Sequence, residues 1–497
     1  MKMYDLIIKN GKIIDGTGSP ALLADVAVNG GKIVRVARGI KEDAAQVIDA
    51  SGLAVTPGFI DSHSHADSAV LKYPAQAAKI EQGITTSIAG QCGTSPMPMG
   101  DFFEKAKAIP QGANIAVFAG HGALRREAMG AENRPATPEE IEKMKALLRD
   151  CMEHGALGIS FGLIYAPSCY ADTAELTELA KVVAEYDGIA AAHIRNEGDT
   201  LVQAVEEFIS IIRTAGIRGV ISHHKAAGKN NWGKVTHTLR MMEAANAEGV
   251  EVYCDVYPYT ASSTTIAARF APSAYHSGGI GALADRLHDP EIRAEIREYM
   301  TSTWGNDYKW VLITGCKAYP QYVGKTLEEA ALLHGKDCAD TVMDMIADSR
   351  AAGNACYFTM CEEDVETVMA YPRAMICTDS STSEVYGFHH PRVCGSFPRV
   401  LGRYVRERGV TTLPEMIRKM TSMPAAVYGL TGKGLIREGF DADICIFDPD
   451  TIIDRAEYLE PKNRAEGLHY VLVGGEVVVE NAAANGKCCG RVLLRNE

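Results

Sequence analysis

The stretch Leu53-Ala54-Val55-Thr56-Pro57-Gly58-Phe59-Ile60-Asp61-Ser62-His63-Ser64-His65 decides how this chain is read. Its apolar run, bounded by Ser51-Gly52 and broken by Gly58, has the length and composition of a buried strand. Residues i and i+2 of a strand point to the same side. His63 and His65 therefore aim both imidazoles at one point, where their neutral nitrogens suit a divalent metal. Taken alone, a His-x-His pair also fits a packing role, so the rest of the chain has to decide.

At 497 residues the chain is long enough for one large core or several smaller ones. With 46% hydrophobic and 23% charged residues it reads as an ordinary globular protein. A formal net charge of −13 disfavours nucleic acid or an anionic membrane as partner. Met1-Lys2-Met3-Tyr4-Asp5 runs straight into a strand pattern without a signal-peptide texture. No apolar stretch is long enough to span a bilayer. The thirteen cysteines are scattered and odd in number, which suits reduced thiols in the cytoplasm better than a disulfide framework.

Both ends read as short strands joined by tight turns. Asn10-Gly11, Asn29-Gly30-Gly31 and Gly474-Gly475 are hairpin signals, and two β-rich ends imply one small β domain assembled from both termini. The middle alternates helix and strand. Thr137-Pro138-Glu139-Glu140 is a capping box with proline at the first helical position. Helices near 174–186, 201–214 and 235–247 each end at a glycine, and each precedes a strand. Repeated βα units give a parallel sheet, either a closed (β/α)8 barrel or an open doubly wound sheet. No Gly-x-Gly-x-x-Gly follows a strand, so dinucleotide binding is disfavoured. From about Ser263 to Asn354 the rhythm breaks around one clear strand, Trp310 to Thr314, which suggests an insertion.

Polar residues recur where strands end, the place where barrel active sites are built. His63 and His65 end the first barrel strand, Cys92 follows the strand Thr85 to Ala89, and His193, His223 and Asp379 end later strands. A lone strand-end histidine is usually structural, Cys92 alone reads as a small buried hydrophobe, and a helix N-cap is the lesser alternative for Asp379. Four histidines, a cysteine and an aspartate at one end of one sheet are better explained by metal-assisted hydrolysis. A divalent ion polarises a carbonyl and lowers the pKa of water, and Asp379 is the candidate general base. His121, in Gly120-His121-Gly122, is placed behind the site.

These residues resemble the amidohydrolase superfamily, whose fold is a (β/α)8 TIM-like barrel with a β-sandwich formed by both chain ends. On this chain that implies a β-sandwich from 1–54 and 425–497, a barrel from 55–262 and 355–424, and an inserted subdomain or lid at 263–354. No lysine stands at the end of Ala156 to Ser160, where many relatives bridge two metals. Gly90-Gln91-Cys92-Gly93 instead resembles the N-acyl-D-amino-acid deacylase (D-aminoacylase) family, with Gln91 where Asn is common. The likeness extends through Gly162-Leu163-Ile164-Tyr165, His193 to Gly198, Ser222 to Lys225, Asp255 to Thr260 and His390 to Arg399. It implies a tightly held Zn2+ on Cys92, His193 and His223, and a weaker second position on His63 and His65 that shares Cys92. It also implies Asp379 as general base and acid on a metal-bound water, and Tyr165 near the scissile carbonyl. Lys225, Tyr257, Ser263 and Arg392 would contact the substrate carboxylate.

The activity so implied is zinc-dependent hydrolysis of N-acyl-D-amino acids to a carboxylate and a free D-amino acid. A dipeptidase acting on a C-terminal D-residue differs only in the acyl group. A hydantoinase- or dihydroorotase-type cyclic-amide hydrolase is disfavoured by the missing lysine and by Cys92. A barrel that has lost its metal and serves as a scaffold should have lost ligands, and every expected position is filled. The side chain of the D-amino acid and the oligomeric state leave no motif in the sequence.

Overall fold

The computed structural model describes residues 3–382 and 390–495. In chain order the first strands are β1 (Tyr4–Ile13), β2 (Leu22–Asn29), β3 (Lys32–Ala37), β4 (Ala44–Asp49) and β5 (Ala54–Pro57). Next come β6 (Phe59–Asp61), β7 (Ile84–Ala89), β8 (Asn114–Val117), β9 (Ala119–Gly120), β10 (Gly158–Gly162), β11 (Ile189–His193), β12 (Arg218–Ile221) and β13 (Val252–Val256). The inserted segment carries β14 (Ser262–Thr265), β15 (Val311–Cys316) and β16 (Gly353–Tyr357), and β17 (Ala374–Ile376) follows it. The chain closes with β18 (Ile444–Phe447), β19 (Leu468–Val473), β20 (Glu476–Glu480) and β21 (Ala483–Ala484).

The two ends form one nine-stranded sheet in the order β21-β20-β19-β18-β5-β1-β2-β3, with β4 beside β1. Ile8, Val26, Val55, Ile444 and Leu472 pack together as part of its buried core. Gly30-Gly31 and Gly474-Gly475 make the expected hairpins. Asn10-Gly11 does not: β1 runs through it, with Asn10 at φ 60° and a register shift between Ile8 and Gly11. A Cβ on Gly11 would lie 2.5 Å from Val55 Cγ2, so the glycine serves a close approach inside a bulge.

The opening run is likewise two strands. β5 pairs with β1 and β18 in the terminal sheet, whereas β6 pairs with β7. The chain passes from one sheet to the other at Gly58, whose N–H donates to Asp443 O at 2.8 Å. A Cβ there would lie 2.3 Å from the Thr85 side chain, so only glycine fits this crossing.

The middle strands close into a barrel. Parallel pairing runs β6-β7-β8 and β9-β10-β11-β12-β13-β17. β8 and β9 act as one strand broken at Phe118, whose N–H still reaches Ala89 O at 2.9 Å. The ends meet where Ser62 N–H donates to Ile376 O at 3.3 Å and Ser64 bridges Ser380 in parallel. Eight parallel strand positions around a closed ring are the (β/α)8 architecture.

The helices between the strands start and stop where the sequence signals them. Thr137 caps Pro138–Glu153 in a reciprocal box with Glu140, and Gly216 ends Leu201–Ala215 in the left-handed conformation. The inserted segment is a three-stranded antiparallel sheet, β14-β16-β15. Ser262–Thr265 and Asn354–Tyr357, at its two ends, pair with each other, so β14 and β16 are strands that the broken rhythm concealed. Phe270, Ile296, Met300, Ile313, Met343 and Tyr357 give this segment a core separate from that of the barrel.

Candidate active site

The C-terminal ends of the barrel strands bring the expected residues together. His63 and His65 follow β6, Cys92 follows β7, His193 ends β11, His223 follows β12 and Asp379 follows β17. Cys92 is the hub. Its Sγ lies 3.4 Å from His63 Nε2, 3.7 Å from His193 Nδ1 and 3.6 Å from His223 Nε2. Asp379 Oδ1 sits 3.2 Å from His65 Nε2 and 3.6 Å from His63 Nε2.

The backbone is bent to achieve this. Cys92, His223 and Asp379 have φ of 54°, 37° and 47°, a left-handed region unfavourable for residues with a Cβ. The Cys92 loop is held from below by Ser160, whose Oγ donates to Gly90 O at 2.5 Å and accepts from Gly93 N–H at 3.1 Å. A Cβ on Gly162, at the end of β10, would lie 2.0 Å from Cys92 O. The Cys92 loop thus occupies the space a side chain at that strand end would need.

The donor set fits a soft-to-borderline divalent metal. Cys92, His193 and His223 form one group of converging donors, and His63, His65 and Cys92 form a second that shares the thiol. His63, His223 and Asp379 form a third, all within 4.8 Å of one another. Burial pushes His63 and His193 well below the ordinary imidazole value and lowers His223 as well. They are therefore neutral, the form in which imidazole binds a metal. Burial, reinforced by Asp379, pushes the Cys92 thiol up; a cation reverses that preference and favours thiolate.

Arg392 Nη1 lies 2.7 Å from Asp379 Oδ2, paired in charge though misaligned as a hydrogen bond. Burial pushes the Asp379 carboxyl up, but Arg392 and the histidines outweigh it and hold it well below the usual carboxylate range. Arg392 is the first residue of helix Arg392–Arg399, directly after Pro391. His390 fixes that turn by accepting from Arg392 N–H at 3.0 Å while its Nε2 bonds Ala261 O at 2.9 Å.

The remaining expected residues line the same space. The Tyr257 ring lies 4.8 Å from the Arg392 guanidinium and 5.5 Å from Lys225 Nζ. Ser263 accepts from Arg392 Nη2 through its carbonyl at 3.4 Å. Tyr165 packs edge-on against His193 at 5.1 Å and bonds Thr264 Oγ1 at 3.1 Å. Lys225 Nζ is 2.7 Å from His223 Nδ1 and also pairs with Glu197. His121 is buried and bonds Ser168 Oγ and Glu175 Oε1, each at 2.9 Å, in a network with Arg125 behind the Cys92 loop.

Sequence reasoning gave no role to Glu197, Asp255, Asp61 or Lys79. Glu197 Oε1 is 3.1 Å from His223 Nδ1 and 3.6 Å from His193 Nε2. Asp255 accepts the His223 backbone N–H at 2.5 Å, and its other oxygen lies 3.8 Å from His63 Nδ1. Lys79 is fully buried: its Nζ bonds Asp61 Oδ2 at 2.8 Å, Thr378 Oγ1 at 2.7 Å and Ser380 O at 2.9 Å. Asp61 also accepts from Thr378 N–H at 2.8 Å. The pair clamps β6 to the residues flanking Asp379. An acid four residues after a strand-end histidine was the available signal for Glu197. Lys79, on the short helix Ala77–Ile80, carries no such signal.

Comparison with known proteins shows the family. Residues 46–479 match the amidohydrolase family profile. The chain is 36% identical to a D-aminoacylase of Alcaligenes xylosoxydans xylosoxydans, over 99% of this chain and 98% of that protein. It superposes with a TM-score of 0.86 on a D-aminoacylase structure described through its binuclear metal centre, one metal activating and a second attenuating, at 36% identity over 99% and 100% of the two chains. The N-acyl-D-glutamate deacylase of Bordetella bronchiseptica, solved with zinc and a phosphonate inhibitor, superposes with a TM-score of 0.87 at 34% identity, again over 99% and 100%. The chain belongs to the amidohydrolase family, and within it to the N-acyl-D-amino-acid deacylases.

Proposed function

We propose that this protein hydrolyses the amide bond of N-acyl-D-amino acids, releasing a carboxylate and a free D-amino acid, with zinc held tightly by Cys92, His193 and His223. A weaker second position uses His63, His65 and the shared Cys92. The observation that carries this reading is the convergence of those donors on one point beside Asp379, with Lys225 and Arg392 on its rim. The D-configuration rests on the relatives, named for D-aminoacylase and N-acyl-D-glutamate deacylase activity.

When bound, the zinc supplies a Lewis acid that polarises the amide carbonyl and makes water easier to deprotonate. Asp379, ionised and within reach of both His63 and His65, takes the proton of the attacking water. The same carboxyl then returns a proton to the leaving amine. Arg392 and Lys225, with Tyr257 between them, hold the substrate α-carboxylate, and the Tyr165 hydroxyl steadies the acyl oxygen. Holding the substrate at its carboxylate fixes the scissile carbonyl against the donors, which is where orientation lowers the barrier.

The test is a screen of paired N-acetyl-D- and N-acetyl-L-amino acids with the zinc-loaded protein, following release of free amine. Hydrolysis confined to D-forms supports the reading. Hydrolysis confined to L-forms would overturn its stereochemistry, and hydrolysis of neither would overturn the substrate class.

A further inference from the structure

We infer that Glu197 is a positioning residue that couples the metal donors to substrate recognition: one carboxylate oxygen orients His193 and His223 and also restrains Lys225. This rests on the proposed roles of Cys92, His193 and His223 as metal donors.

The geometry is specific. A neutral imidazole carries its proton on one nitrogen and a lone pair on the other. His193 faces Cys92 through Nδ1 and His223 faces it through Nε2. To offer lone pairs there, the two rings must carry their protons on His193 Nε2 and His223 Nδ1. Both of those atoms look at the same atom, Glu197 Oε1, at 3.6 and 3.1 Å. His193 Nε2 is buried and makes no hydrogen bond among the described residues; Glu197 Oε1, at 3.6 Å, is the carboxylate oxygen that faces it. Such outer carboxylates fix the tautomer and ring plane of metal-binding histidines.

The third contact makes Glu197 more than a ring anchor. Lys225 Nζ bonds the same oxygen and also lies 2.7 Å from His223 Nδ1. If that nitrogen carries a proton, an ammonium cannot donate to it, so His223 and Lys225 both turn to Glu197 as acceptor. One carboxylate oxygen thereby ties the ring that faces Cys92 to the ammonium placed for a substrate carboxylate. Glu197 itself is fixed by its backbone, whose carbonyl accepts from Ala227 N–H at 2.7 Å.

The experiment compares zinc affinity, by competition against a chromophoric chelator, for the full chain and its Glu197→Gln, Glu197→Asp and Lys225→Met variants. Substrate KM is measured on the zinc-saturated proteins. Glu197→Gln is expected to weaken zinc binding by about 10- to 100-fold, and Glu197→Asp to recover part of that loss. Lys225→Met is expected to leave zinc affinity undiminished while raising KM. Zinc affinity unchanged in Glu197→Gln would overturn the inference, as would an equal loss in Lys225→Met, which would mark general damage to the region. A wild-type protein that takes up no zinc would overturn the metal reading itself, a distinct result.

Discussion

The mouth of the barrel and the inserted segment face the same space but are built on opposite plans. At the mouth, the functional side chains stand at the ends of several different strands and are held by buried polar contacts to their neighbours. The Lys79–Asp61 pair grips the residues on either side of Asp379, and Ser160 grips the Cys92 loop. The inserted segment has its own apolar core and touches the site through Ser263 and Thr264 of β14. The difference separates tasks. The candidate metal donors sit on the strand ends of the ring, where a small displacement would be felt by several of them at once. The inserted segment supplies one wall, through Ser263 and Thr264, from a core of its own.

That division is broken or sharpened by substitutions on each side. Asp379→Asn removes the proton acceptor and is expected to lower kcat by about 10²- to 10⁴-fold, and also to lower the unfolding midpoint, because Arg392 loses its buried partner. Initial rates against denaturant titration check it. Lys79→Met leaves Asp61 as an unpaired buried charge and is expected to destabilise the barrel by about 3–5 kcal/mol. Adding Asp61→Asn should restore part of that loss, a double-mutant comparison read from denaturant midpoints. Phe270→Ala empties a fully buried position among Tyr308, Trp310 and Tyr357. It is expected to weaken the insertion by about 3–5 kcal/mol while zinc content stays the same, as elemental analysis would show. Zinc lost with Phe270→Ala would abolish the separation drawn above. The smallest effect is expected for Thr264→Val, which removes the bond to the Tyr165 hydroxyl, worth about 0.5–1.5 kcal/mol. It should appear as a fall in kcat/KM of at most about tenfold.

The contrast also explains what the amino-acid sequence reveals. Residues that end strands announce themselves, because a polar side chain after an apolar run is unusual: His63, His65, Cys92, His193, His223 and Asp379 were all visible that way. Their outer partners were not. Lys79 looks like any helical lysine, and its burial arises from barrel closure, which brings it within 3 Å of residues some 300 positions away. Asp255 lies inside β13 in a Cys-Asp-Val run and gains meaning when the residues after β12 place His223 beside it. Asn10-Gly11 shows the opposite failure, a turn signal overridden because the terminal sheet needs Gly11 against Val55. The opening run Leu53 to Ile60 hid a sheet crossing at Gly58, because both of its strands are equally apolar and buried. Strand β14 was missed because Ser262-Ser263-Thr264-Thr265 carries no apolar alternation.

The central claim is that Cys92, His193 and His223 are the principal metal donors and that the pair announcing the family, His63 and His65, serves a weaker position. Anomalous diffraction at the zinc edge, on crystals of the protein prepared with one equivalent of zinc, tests it most directly. The account predicts the dominant peak among Cys92 Sγ, His193 Nδ1 and His223 Nε2, with density at His63 and His65 filling when zinc is added in excess. A first equivalent found at His63 and His65 without His193 or His223, or no peak at this end of the barrel, would contradict it.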